Sequence, residues 1–173
     1  EEYPLRYGEN PQQKAVAIIE NQSFIQLSGD KRLSYNNLLD LDAAINIAYS
    51  TKSKKYICSI VKHNIPCGAA IKESQKQSYL KALAGDPVSA FGGIIAFNKK
   101  LEANTADLII KNFYEVIAAP SFTKKSLEIL KTKKNLRILR VKKIKKQTEQ
   151  RSIFAGALIQ EQNNKNSSIV EIN

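Results

Sequence analysis

The chain has 173 residues with 43% hydrophobic and 25% charged side chains, so it is long and apolar enough to bury a core and is not a disordered segment. It has no apolar run of the length a membrane helix needs, and its start, EEYPLRYG, lacks the basic and apolar regions of a secretion signal. The net charge of +11 is local: residues 121–151 carry 12 Lys and Arg against 2 Asp and Glu, while the remainder is close to neutral. That segment reads first as a solvated lysine-rich face, with contact to a polyanion as the alternative. No methionine occurs at any position, so the chain is expected to be a piece of a longer protein. Cys58 and Cys67 form no disulfide framework, and a reducing cytoplasm is expected.

In chain order, Lys14–Glu20 and Phe24–Ser28 read as two strands of a hairpin turning at Asn21–Ser23. Ser34 is a helix N-cap, and Leu38, Leu41, Ala44, Ile45 and Ala48 recur at helical spacing through Tyr35–Ser50. Tyr56–Val61 is a continuous apolar run, which marks a strand buried on both faces. His63–Gly68 reads as a turn. A helix over Glu73–Ala84 stops at Gly85 and Pro87, and Gly93–Phe97 is a strand. Thr105–Phe113 is predicted helical and Glu115–Ala119 extended. Thr123 caps a helix to Lys133, and Leu136–Val141 and Ile153–Gln160 are strands. Lys142–Glu149 is an exposed loop, Asn163–Ser168 a polar break, and Ile169–Ile172 the start of a further strand. Alternating strands and helices imply an α/β domain with a mainly parallel or mixed sheet.

Several reaction classes are excluded by missing motifs. There is no P-loop, no GxGxxG and no GxSxG. A zinc deaminase needs a second cysteine where Ala70 stands and a glutamate where Ile65 stands. Four loops could carry chemistry. Leu5–Pro11 places Arg6 and Tyr7 beside Gly8, a pairing suited to phosphate capture or to an ordinary surface loop. Val61–Gly68 runs a buried strand into Lys62 and His63, where such sheets place their sites. Residues on a straight strand face opposite ways, so the two can share a site only if the chain leaves the strand there. Histidine is the natural proton shuttle and lysine can hold developing negative charge. Ala84–Gly93 is rich in Gly and Pro and carries Phe91, either as a ligand platform or as a tight connection. Glu115 at a strand start could accept hydrogen bonds from a ribose or an amine, or be solvated.

Taken together, the runs LRYGENPQQ (5–13), LSYNNLLDLDAA (33–44), VKHNIPCGAA (61–70), ALAGDPVSAFGGIIAFN (82–98), EVIAAPSF (115–122) and RSIFAGALIQ (151–160) resemble the transformylase domain of the bifunctional AICAR transformylase/IMP cyclohydrolase family of purine biosynthesis. AICAR is aminoimidazole carboxamide ribonucleotide. The resemblance implies a three-layer α/β/α sandwich of the cytidine-deaminase-like kind, used without a metal. It implies that residues 1–173 are the first subdomain of the transformylase domain, lacking the cyclohydrolase domain and the second transformylase half. The implied enzyme is a formyltransferase that moves a formyl group from its cosubstrate 10-formyltetrahydrofolate to the 5-amino group of AICAR. A fragment without the Asn, Phe and Arg contributions of the missing half is expected to be inactive alone. By resemblance Lys62 and His63 are catalytic; Arg6, Tyr7, Asn37, Gly92 and Glu115 contact AICAR; and Val88 and Phe91 line the folate side. The family's NPHQ is Asn10-Pro11-Gln12-Gln13 here, which removes any role of that histidine. The resemblance further implies a cytoplasmic homodimer that engages neither membrane nor nucleic acid. The competing class is a nucleic-acid-binding module on residues 121–151, where Phe122 is the one aromatic.

Overall fold

The structure, a computed structural model, describes residues 1–19, 23–142 and 148–161. The chain divides into two compact units, Glu1–Lys143 and Ile144–Asn173.

The first unit is built on a six-stranded sheet. Its strands are β3 (Phe24–Ser28), β4 (Tyr56–Lys62), β5 (Ile65–Lys72), β6 (Gly93–Phe97), β7 (Tyr114–Ala119) and β8 (Arg137–Val141). A short antiparallel pair, β1 (Glu2–Pro4) with β2 (Val16–Ile18), lies outside that sheet. The spatial order is β3-β8-β7-β6-β4-β5. β6, β7 and β8 are parallel, while β4 runs antiparallel to both β5 and β6, and β3 antiparallel to β8. The sheet is therefore mixed.

Alternation along the strands sorts side chains into two cores. Cys58, Ile60, Ile95, Phe97, Ile117, Ala119 and Ile138 face one way. There they meet α2 (Gln75–Leu83), α3 (Ala103–Ile109) and α4 (Lys124–Lys131) through Tyr79, Ala82, Ala106, Ile109 and Leu130. Val61, Ile94, Ala96, Val116, Ala118, Leu139 and Val141 face the other way, against Leu41, Ala44 and Ala48 of α1 (Tyr35–Ala48). One helix on one face and three on the other make the three-layer α/β/α arrangement expected from the sequence.

The helix starts follow their caps. Ser34 Oγ accepts the Asn37 N–H at 3.2 Å, and Asn37 Oδ1 accepts the Ser34 N–H at 3.1 Å, a reciprocal capping box. Ser74 and Thr123 cap α2 and α4 through the N–H groups of Gln77 and Ser126. α2 packs directly on the β5 backbone: a Cβ added to Gly68 would lie 2.0 Å from the Ala82 carbonyl oxygen.

Three expectations are corrected. The Lys14–Glu20/Phe24–Ser28 hairpin does not form: β2 pairs with β1, and β3 crosses to β8, because Phe24 packs against the α1 core and edge-on to Tyr3. His63–Gly68 is not one long turn. The turn is confined to His63 and Asn64, and Ile65–Lys72 pairs along β4, with Pro66 accommodated because β5 is an edge strand. In the second unit, the single strand expected at Ile153–Gln160 is an antiparallel hairpin of β9 (Thr148–Ile153) and β10 (Gly156–Glu161), turning at Phe154-Ala155. Most of the loop expected at Lys142–Glu149, the break at Asn163–Ser168 and the strand at Ile169–Ile172 lie outside the described residues.

Candidate active site

One rim of the sheet collects the ends of four strands. β4 finishes there, and β6, β7 and β8 begin there, because β4 is antiparallel to β6. α2, α3 and α4 lead into the loops before β6, β7 and β8, so their carboxyl ends point toward this rim; α1 starts near it.

Lys62 is the last residue of β4, and the chain leaves the strand at His63. His63 and Asn64 both have positive φ, 53° and 60°, a two-residue reversal in which asparagine is well tolerated. Asp40 on α1 accepts both of their backbone N–H groups: Oδ2 from His63 at 3.1 Å and Oδ1 from Asn64 at 2.6 Å. Lys62 and His63 consequently line one cavity of about 270 Å³ with Ile65, Pro66, Cys67, Asp86 and Ser89. Lys62 Nζ donates to the Phe91 carbonyl at 2.7 Å, tying the loop before β6 to the end of β4. Hydrogen bonds from Ser89 hold the Asp86 carboxyl below its ordinary value. Burial first, and then the Asp86 charge, push the Cys67 thiol up.

Gly92 follows with φ +76°, a conformation that favours glycine, and its N–H donates to the Phe113 carbonyl at 2.8 Å. The Phe91 and Phe113 rings meet at a tilt of 47° with centroids 5.1 Å apart, and both are substantially exposed. They line a larger groove of about 450 Å³ with Lys111, Lys133 and Lys134. These lysines follow the carboxyl ends of α3 and α4, where cations offset the helix dipole. Val88, on the same loop as Phe91, is 83% exposed.

The remaining predicted contacts form a second cluster. Arg6 and Tyr7 are laced to the start of α1: the Arg6 N–H donates to the Leu33 carbonyl and the Tyr35 N–H to the Tyr7 carbonyl. The Arg6 guanidinium donates to the Tyr7 hydroxyl at 2.6 Å. Glu115 Oε2 accepts from Asn37 Nδ2 at 2.9 Å and from Arg137 Nη2 at 2.8 Å. The Arg137 side chain is only 3% exposed, and its Nε is buried with no hydrogen-bond partner. Burial lowers the Arg137 pKa, Glu115 opposes that, and Arg6 lies close enough to add like-charge repulsion.

The structure thus brings Asn37 and Glu115 into direct contact and sets Lys62, His63, Phe91 and Gly92 along one short stretch of rim. Three further residues enter that sequence reading passed over. Asp40 is 8% exposed and continues the buried stripe of α1. Arg137 falls on the strand parity of Leu139 and Val141, which face α1. Phe113 immediately precedes β7. Among the described residues, no group of three or more His, Cys, Asp or Glu side chains is placed to hold a metal, and no helix is long and apolar enough to cross a membrane. The nucleic-acid reading gains no support: Phe122 packs against the core instead of standing among the lysines.

The architecture defines a mixed-sheet α/β domain whose chemistry-bearing residues gather on one rim, with a Lys–His pair where β4 ends. The chain belongs to the AICARFT/IMPCHase bienzyme family, which it matches over residues 1–173. It is 47% identical over 135 residues to the bifunctional purine biosynthesis protein PurH of Clostridium perfringens strain SM101, covering 75% of this chain and 26% of that protein. With PurH of Prochlorococcus marinus strain MIT 9312 it shares 47% identity over 183 residues, covering 94% of this chain and 35% of the relative. The chain thus spans roughly a quarter to a third of the length of these curated relatives. Among solved structures, Acinetobacter baumannii RibD (form 2) overlaps 58% of this chain and 35% of its own, at a TM-score of 0.42 and 20% identity.

Proposed function

We propose that this chain forms part of a bifunctional purine-biosynthesis enzyme and carries the catalytic pair of its AICAR transformylase activity. The reaction transfers the formyl group of 10-formyltetrahydrofolate to the 5-amino group of AICAR, and the IMP cyclohydrolase activity belongs to another part of the protein. The observation that supports this reading is that Lys62 and His63, though adjacent in sequence, line the same cavity because the chain turns at His63.

The AICAR amine is a poor nucleophile, since its lone pair is delocalised into the ring and carboxamide. His63 takes its proton as nitrogen attacks the formyl carbon. Lys62 steadies the oxyanion that forms, or protonates the departing folate nitrogen. One of its three N–H donors is spent on the Phe91 carbonyl, which aims the ammonium along the rim. Arg6, Tyr7, Asn37, Gly92 and Glu115 hold the ribonucleotide, and Val88 and Phe91 face the folate. Holding two large substrates in register supplies much of the rate. The complete enzyme works as a homodimer in the cytoplasm.

In the complete protein, His63→Ala is expected to lower kcat at least about a thousandfold while AICAR affinity stays within about tenfold, because a proton shuttle acts mainly in the transition state. Tetrahydrofolate release followed spectrophotometrically, with AICAR affinity by calorimetry, reads both. Wild-type turnover in that variant would sink the assignment.

A further inference from the structure

We propose that Asp40 is the positioning residue of the Lys62–His63 pair, holding the histidine in the site through the backbone of the turn; this rests on the formyltransferase reading above. Three observations carry it. First, His63 and Asn64 both occupy the left-handed region, where non-glycine residues are disfavoured, so the turn needs an external hold. Second, Asp40 supplies that hold: each of its carboxylate oxygens takes one of the two consecutive N–H groups, at 3.1 and 2.6 Å. A carboxylate accepting from adjacent amides makes charge-assisted bonds, stronger than neutral ones. Third, the anchor itself is fixed. Asp40 is nearly buried, and α1 is bound to β4 by the Ser59 hydroxyl, which donates to the Ala44 carbonyl at 2.7 Å.

Asp40 also lies one helical turn from Asn37, on the same side of α1. Asn37 donates to Glu115 at 2.9 Å. A single turn of one helix therefore sets both the ribonucleotide side and the proton-transfer side of the rim. Both hydrogen bonds that Asp40 accepts there come from backbone N–H groups, so they act on where His63 stands.

The test uses the complete protein. Asp40→Ala is expected to lower kcat about a hundredfold, the cost of a reactive group misplaced by about an ångström, with the AICAR KM within about threefold. Adding Asn64→Gly to that variant is expected to recover at least about threefold in kcat, because glycine takes a positive φ without a hold. Hydrogen exchange of the peptide spanning residues 61–66, read by mass spectrometry, is expected to show the His63 and Asn64 amides exchanging at least about tenfold faster in Asp40→Ala. If Asp40→Ala does not fold, Asp40→Asn, which keeps one acceptor oxygen, is expected to give an intermediate loss of kcat with one of the two amides still protected. A kcat within threefold of wild type, unchanged amide exchange, or no recovery with Asn64→Gly each overturns the proposal. Absence of turnover in the unsubstituted protein removes the formyltransferase reading and the catalytic part of this inference with it, while the exchange measurement still reports whether Asp40 holds the turn.

Discussion

Glu115 receives two hydrogen bonds on one carboxylate oxygen, from Asn37 and from the buried Arg137. Removing it strands a guanidinium out of water. Breaking a buried pair from one side commonly costs 3–5 kcal/mol; with Glu115 37% exposed, Glu115→Ala is expected to cost about 2–3 kcal/mol in urea denaturation. Glu115→Leu combined with Arg137→Met is expected to cost less than that single change, since no charge is left unpaired. A second expectation concerns Cys67. Burial and Asp86 keep its thiol protonated, so at pH 7.5 iodoacetamide should alkylate it several-fold more slowly than glutathione. Asp86→Asn removes a charge that opposes the thiolate, lowers the thiol pKa and should speed the reaction; mass spectrometry of the labelled peptide reads it. At this scale the sequence was legible in where residues stand: Lys62 and His63 fall at the end of the strand expected at Tyr56–Val61 and line one cavity. Asp40 and Arg137 were not seen, because their roles depend on partners 23 and 22 residues away, His63 and Glu115.

The helices and central strands were read closely because their signals are local. Ser34 and Thr123 cap the helices expected to start from them, and β6 occupies the predicted Gly93–Phe97. The helix expected at Thr105–Phe113 runs instead over Ala103–Ile109, and the strand errors share one cause, which is pairing. Whether Phe24–Ser28 joins Val16–Ile18 or Arg137–Val141 is decided by burial against α1, and no local motif encodes that choice. Pro66 and Gly68 suggested a turn, yet both serve β5: proline is harmless on an edge, and glycine admits α2. Gly68→Ala would drive a methyl into the Ala82 carbonyl, so α2 must shift away from β5. The expected loss is more than about 2 kcal/mol, in the range of overpacked cores, measured as a fall in the unfolding midpoint. Ser34→Ala, which leaves the Asn37 N–H without its cap, should cost only about 1 kcal/mol.

For the molecule as a whole, we expect the 173-residue chain by itself to show no formyl transfer, since it spans roughly a third or less of the PurH relatives and the resemblance puts Asn, Phe and Arg contributions to the site in the remainder. An assay on the purified chain checks this directly, and measurable turnover would show that the rim is sufficient. The mixed sheet has a consequence for how this rim can meet an anion. Sites at the carboxyl ends of parallel strands gain the positive ends of the helices that follow. Here β6, β7 and β8 begin at the rim, and α2, α3 and α4 bring their electronegative ends to it. Among the described residues only α1 starts nearby, and its Asn37 N–H is already taken by Ser34. What the rim offers an anion is therefore chiefly cationic side chains and not helix N-termini, with Arg6 foremost in the cluster around Glu115 and Arg137. Ionic strength should weaken such an attraction more than it would an enclosed backbone cradle, and selection can retune it one substitution at a time.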